Sequence, residues 1–159
     1  MDPKPAKPPV SVRMTQDEIW EFLTNGHRGI FVTLRRDGMP IALPMSYAVV
    51  DGAIYMNTRG KKLLRIRRDA RAAFLVETGE RWAELKAVHL TGKAEIVQPE
   101  PELADRIQTE IQRKYRGTRT PLSKMPPATR DHYVNADRGL VRFTPDPRIL
   151  EWDNAKLGV

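Results

Sequence analysis

Two Asp-Gly pairs place the strongest constraint on what this chain can fold into. Arg36-Asp37-Gly38 and Asp51-Gly52 each stand between runs in which side chains alternate in character at every second position. Gly accepts the positive φ that tight turns demand, so both pairs read as hairpin turns between antiparallel strands. In the run that begins at Gly29, Ile30, Val32 and Leu34 share one face, with Phe31, Thr33 and Arg35 opposite. One long strand is expected over residues 40–50. In it Ile41, Leu43, Met45, Tyr47 and Val49 alternate with Ala42, Pro44, Ser46, Ala48 and Val50. Pro44 cannot donate to a ladder, which puts an edge or a bulge there. Residues 53–57 then complete a three-stranded meander.

The rest of the chain adds strands faster than helices. Thr15-Gln16-Asp17-Glu18 is a capping box that starts a helix over residues 16–23, and Asn25-Gly26 ends it. A basic helix is expected over residues 61–68, with strands over 72–77 and 84–97. In the second of these Val88, Leu90, Ala94 and Ile96 face inward, and Gly92 marks a bend or bulge. Helices follow over residues 100–115 and 126–135, joined by a polar connection. Two final strands, 140–144 and 148–152, flank Pro145-Asp146-Pro147. Neighbouring antiparallel strands with few helices indicate a mainly β protein, an antiparallel barrel with covering helices. Residues 1–14, rich in Pro and Lys, read as a disordered or extended arm, and residues 15–159 as a single domain.

Composition narrows the chemistry. The 159 residues include no Cys, which removes disulfides, thiolate metal sites and thiol nucleophiles, and suits a reducing cytoplasm. No apolar run approaches the roughly 20 residues of a membrane span. The net charge is +7, and residues 59–71 alone hold seven basic residues against Asp69. Charge this concentrated points to one anionic partner at one place. On a helical wheel Lys61, Lys62, Arg65 and Arg68 occupy one arc, and Leu63, Leu64 and Ile66 the other. Arg67 falls inside the apolar arc, which requires either a partner for it or an irregular helix.

Side-chain catalysis has little support. His27, His89 and His132 lack metal-ligand spacing, so no metal site is expected, and no nucleophile elbow, Walker loop or dinucleotide fingerprint is present. What remains is the segment Tyr55-Met56-Asn57-Thr58-Arg59-Gly60-Lys61-Lys62, where a strand end meets a helix start. Free N–H groups at a helix N-terminus, together with Arg and Lys, hold phosphate well.

Three runs carry a family resemblance. They are Gly29-Ile-Phe-Val-Thr-Leu-Arg-Arg-Asp-Gly-Met-Pro-Ile-Ala-Leu-Pro-Met-Ser-Tyr, Ile54-Tyr-Met-Asn-Thr, and Lys62-Leu-Leu-Arg-Ile-Arg-Arg-Asp-Ala-Arg-Ala-Ala-Phe-Leu-Val-Glu, with Leu90-Thr-Gly-Lys-Ala-Glu further on. The chain resembles the pyridoxamine 5′-phosphate oxidase-like family, and within it the flavin/deazaflavin oxidoreductases of actinobacterial type. The resemblance covers residues 15–98 well and residues 140–156 loosely. It implies a homodimeric split β-barrel with a flavin-type cofactor in a groove at the dimer interface. Pro44, Met45 and Ser46 then match the strand beside the cofactor ring. Asn57 and Thr58 match ribityl and phosphate contacts, and Lys62 matches the phosphate cation, with Arg59 and Lys61 as neighbours able to share that work. Trp82 matches an aromatic contributed by the partner subunit.

The implied activity is hydride transfer from a reduced deazaflavin, coenzyme F420, to a small electron-poor organic substrate. Ser46 or Tyr47 would donate a proton or hydrogen bond. The concentrated positive charge favours a deazaflavin with an oligoglutamate tail over FMN, which stands as the alternative cofactor. Other readings are an FMN-dependent pyridoxamine phosphate oxidase-like enzyme, a non-catalytic cofactor carrier and a nucleic-acid-binding barrel. The substrate-binding signature at the C-terminus of pyridoxamine phosphate oxidases proper is missing. The basic cluster also lacks the interleaved aromatics of single-strand binders.

Overall fold

Ser46 and Tyr47 are all that separates the two edges of the sheet. The computed structural model describes residues 10–159. Seven strands run in the order β2-β1-β5-β6-β7-β4-β3, all paired antiparallel. They are β1 (Gly29–Leu34), β2 (Pro40–Met45), β3 (Ala48–Val50), β4 (Ala53–Arg59), β5 (Arg71–Thr78), β6 (Lys86–Val97) and β7 (Arg138–Asp153). The helices are α1 (Gln16–Asn25), α2 (Lys61–Arg68), α3 (Pro101–Tyr115) and α4 (Pro127–Asn135). Laid flat at ~4.8 Å per strand, β2 and β3 would be about 29 Å apart. Three Cα steps of chain span at most about 11 Å. The sheet must therefore curl until its edges nearly meet, giving a split barrel joined by chain at the seam.

That closure corrects the expected meander. The run 40–50 is not one strand: β2 ladders onto β1 at one edge, and β3 onto β4 at the other. Tyr47 leaves the ladder because its N–H donates to the Tyr115 hydroxyl at 2.8 Å, and its carbonyl accepts from Lys114 Nζ at 3.3 Å. Pro44 sits on an edge strand, where a missing donor costs least. The two strands expected over 140–152 are in turn one, β7, and both halves pair with β6. Asp146-Pro147-Arg148 form its bulge opposite Thr91, between the pairs Leu90↔Ile149 and Gly92↔Pro145. Bulged residues need not donate to a ladder, so Pro147 is accommodated inside a strand, and Pro145 stands at the bulge's edge opposite Gly92. Gly92 is required there by close approach, since a Cβ would stand 2.2 Å from the Thr144 carbonyl oxygen.

Inside the barrel Phe31, Phe74 and Phe143 lie with ring centroids 6.1–6.4 Å apart, and Tyr47 meets Phe74 edge-on at 4.9 Å. Ile19 and Leu23 of α1 plug this core. A second cluster lies on the other side of β3 and β4, where Ile107, Ile111 and Tyr115 of α3 cover Ala48, Val50, Ala53 and Tyr55. Sandwiching between barrel interior and α3 buries four successive residues of β4, Ala53 to Met56. On β1 the inward face is Phe31 and Thr33, whereas Ile30, Val32 and Leu34 are only half-buried.

The capping box on α1 forms as the sequence indicates. Thr15 Oγ1 accepts from Glu18 N–H at 3.2 Å, Glu18 Oε2 accepts from Thr15 N–H at 2.7 Å, and the helix runs to Asn25. Arg67 finds its required partner in Asp137 at 3.2 Å. Residues 1–9 of the expected arm lie outside the described residues. Beyond them the chain is tied down: Asp153 N–H donates to the Val12 carbonyl, and Met14 N–H to the buried Glu151 carboxylate at 2.7 Å. Among the described residues no helix is long and apolar enough to cross a membrane.

Candidate functional site

The strand-to-helix junction at residues 57–62 is built as the sequence suggests. Strand β4 ends at Arg59, Gly60 turns with φ 62°, and α2 starts at Lys61 without a side-chain cap. Its first N–H groups are left for water or a ligand. Thr58 is buried, and its Oγ1 has no hydrogen-bond partner among the described residues. An orphaned hydroxyl of this kind costs roughly 1–3 kcal/mol, so a ligand that supplies its missing partner recovers the loss. Asn57 next to it is exposed.

The cations divide into two groups. Lys62 has no ion-pair partner among the described residues. Partial burial, then the guanidiniums of Arg65 and Arg59, lower its pKa from the ordinary lysine value. An incoming anion relieves that crowding. Lys61 is exposed. Arg59 is committed elsewhere: its guanidinium lies 3.9 Å from the Tyr133 ring centroid and donates to the Tyr133 carbonyl at 2.9 Å. Its first task is thus to hold α4, and it is not a free phosphate ligand. Arg65 donates to Thr33 Oγ1 at 2.9 Å, Arg68 to the Leu34 carbonyl at 2.6 Å, and Arg71 pairs with Asp69 at 2.8 Å. On the outer side of α2, a groove of about 550 Å³ is lined by Arg35, Arg36, Lys61, Arg65 and Arg68, with Asp37 as its one acid.

Pro44 and Ser46 belong to a different recess. They line a cleft of about 790 Å³ with Phe22, Ile30, Leu75 and Tyr115. Met45 is buried against the barrel core and does not line it. The two groups of expected ligands are thus separated on one chain, with the Thr58–Lys62 junction in one place and the Pro44–Ser46 cleft in another. Ser46 is exposed at the seam, open to a bound molecule. Tyr47 is not. Its side chain is wholly buried and its hydroxyl donates to the Leu23 carbonyl at 2.6 Å, so the expectation of a Tyr47 proton donor is corrected. Burial, then the neighbouring Tyr115, raises its pKa well above the ordinary phenol value, which keeps the proton in place. Trp82 is 63% exposed on a short turn between β5 and β6, and does not line the Pro44–Ser46 cleft.

Two residues on this side were not singled out from the sequence. Lys114 is buried, with Nζ 3.5 Å from the Tyr47 ring centroid, and donates to the Leu23 and Tyr47 carbonyls at 3.4 and 3.3 Å. Desolvation, then the like charge of Arg113, lowers its pKa to about 7. Tyr115 donates from its hydroxyl to the His27 carbonyl at 2.6 Å. The signal was present: Ile107, Ile111 and Lys114 fall on one helical stripe, which places the lysine on the buried face. Among the described residues no cluster of His, Asp and Glu is arranged to hold a metal.

A curled antiparallel sheet split at an edge seam, with a cationic helix start after β4, defines a split β-barrel protein. Residues 15–147 match the pyridoxamine 5′-phosphate oxidase family, and the chain belongs to it. No curated protein matches the sequence. Among solved structures, a conserved hypothetical protein of Mycobacterium tuberculosis is 34% identical with a TM-score of 0.76, over 97% of this chain and 94% of that one. An F420 reductase is similar at 22% identity and TM-score 0.57, over 82% and 94%. The haem storage protein HutZ of Vibrio cholerae shares the fold at 13% identity and TM-score 0.61, over 85% and 92%.

Proposed function

We propose that the protein is a homodimeric oxidoreductase that binds a deazaflavin, coenzyme F420, and transfers hydride to a small electron-poor organic substrate. The observation that carries this reading is the buried, unpartnered Thr58 hydroxyl at the head of α2, with Lys62 lacking a counterion beside it. The two fit a phosphate: the hydroxyl donates, Lys62 supplies charge, and the uncapped N–H groups of α2 point the positive end of the helix dipole. Asn57, exposed next to Thr58, is assigned the polar chain that joins phosphate to ring.

The groove on the outer side of α2 favours a deazaflavin over FMN. Its cations extend beyond what a single phosphate needs and suit a tail of carboxylates. No aromatic lines that groove, which weighs against nucleic-acid stacking. Bound and reduced, the deazaflavin supplies the hydride. The chain's own residues grip, orient and shield: Pro44 walls the ring side, Ser46 offers a hydroxyl to the acceptor, and the apolar cleft limits water.

A partner subunit completes the site. One chain separates the phosphate junction from the Pro44–Ser46 cleft, and the half-buried Ile30, Val32 and Leu34 leave an apolar face for a second copy. Trp82, exposed on its own chain, is free to reach the partner's groove. Titration of the protein with F420 and with FMN at two salt concentrations tests the reading. Tighter, more salt-sensitive binding of F420 supports it, and failure to bind either cofactor removes it.

A further inference from the structure

The cleft beside Ser46 carries charged groups that the phosphate site does not use. Its inner walls are Phe22, Ile30, Pro44, Leu75 and Val76. At its rim stand Arg28, from the turn before β1, and Arg119, from the chain beyond α3. Neither arginine has a carboxylate partner among the described residues. Yet both guanidiniums act on the Tyr115 hydroxyl, so two separate segments bring positive charge to one place. Glu77 is the one acid in the lining. Counting its two arginines against Glu77, the lining carries a formal charge of +1.

We propose that this cleft binds the substrate through a carboxylate, and that the acceptor is an apolar organic acid with a single negative charge. This deepens the oxidoreductase reading and rests on it for the word acceptor; the anion cleft itself does not. A guanidinium presents paired donors that match a carboxylate, and two of them converge here. The apolar walls take the body of the molecule, and Ser46 offers a hydroxyl to its head, whereas the Thr118 hydroxyl already donates to the Tyr115 carbonyl at 3.0 Å. One negative charge neutralises the lining; a doubly charged phosphate monoester overshoots it and faces Glu77. Arg28 and Arg119 are therefore specificity residues.

The test is calorimetric titration of the cofactor-free protein with 2-naphthoate, 2-naphthamide and 2-naphthyl phosphate at pH 7. Naphthoate is expected to bind at least tenfold tighter than the amide, and no weaker than the phosphate. Arg28→Gln and Arg119→Gln should each weaken naphthoate roughly tenfold, the scale of one lost charge-assisted contact, without altering amide binding. Glu77→Gln should tighten it, and Arg148→Gln, away from the cleft, should leave it unchanged. All four side chains are exposed, so folding is retained, and circular dichroism checks this. Equal binding of acid and amide, or indifference to both arginine changes, overturns the proposal. Naphthoate failing to bind while F420 binds removes the substrate class alone. Naphthoate binding where F420 does not sustains the anion cleft and removes the oxidoreductase reading.

Discussion

The ammonium of Lys114 lies 3.5 Å from the ring centroid of Tyr47, at the residue where one sheet edge passes into the other. It ties the last turn of α1, through the Leu23 carbonyl, to the seam of the barrel. Burial makes the charged form costly, and the lysine titrates near 7 rather than at its ordinary 10.5. Between those values the unfolded chain binds the proton more tightly than the folded one, so this group's contribution to stability rises with pH. Lys114→Met should therefore be most favourable relative to wild type at pH 6. Wild type should regain about 2–3 kcal/mol on the variant by pH 9. Denaturant unfolding of both proteins at the two pH values measures this; a difference independent of pH contradicts it.

Thr58→Val should move stability and binding in opposite directions. Removing a buried hydroxyl with no partner stabilises the cofactor-free protein by about 1 kcal/mol. The same change deletes a phosphate donor and weakens cofactor binding roughly tenfold. Thermal unfolding without ligand and equilibrium titration with F420 read the two effects. Loss of stability in the cofactor-free variant shows that the hydroxyl has a structural partner instead.

Lys62→Ala should weaken F420 binding by about 1–3 kcal/mol and leave cofactor-free stability nearly unchanged. Arg71→Ala is the control, because Arg71 pairs with Asp69 beyond the end of α2. Equal weakening by both substitutions would make the effect diffuse electrostatics and remove the assigned phosphate site.

Gly92→Ala tests the bulge that makes β7 one strand. The added Cβ meets backbone, the Thr144 carbonyl oxygen at 2.2 Å, and backbone there is held by the ladder to β6. A cost of about 2–4 kcal/mol is expected in denaturant unfolding. A neutral substitution would mean that the bulge relaxes freely.

How far the sequence reached depended on whether a feature was local. The capping box Thr15/Glu18, the turns at Gly38 and Gly52, the helix over Lys61–Arg68 and the Gly92 bulge rest on neighbouring residues, and each appears in the structure. The break at Ser46–Tyr47 was hidden because its causes, Lys114 and Tyr115, are 67 and 68 residues away, and the alternating pattern runs through it undisturbed. The continuity of β7 was masked by two prolines, which normally end strands but here sit at the edge of a bulge, Pro145, and within it, Pro147. At the candidate site, composition exposed Lys61 and Lys62. It did not show that Arg59 is taken by Tyr133, nor that Thr58 is left without a partner. Arg28 and Arg119 went unnoticed, since only the packing of α3 against the seam brings them to one cleft.

Light scattering addresses the two-chain arrangement. A mass twice the 18.2 kDa of one chain is expected at micromolar concentration. Leu34→Lys, on the half-buried outer face of β1, should shift the protein to the monomer and weaken cofactor binding with it. A wild-type monomer that still binds F420 fully would show that one chain suffices.

The most direct test of the central claim is the mass and absorption spectrum of the small molecule that co-purifies with the protein from a cell that makes both flavins and deazaflavins. The account expects a deazaflavin with an oligoglutamate tail, released on denaturation and lost in the Thr58→Val, Lys62→Ala double variant. Recovery of haem, or of nucleic acid with no flavin-type chromophore, would contradict it.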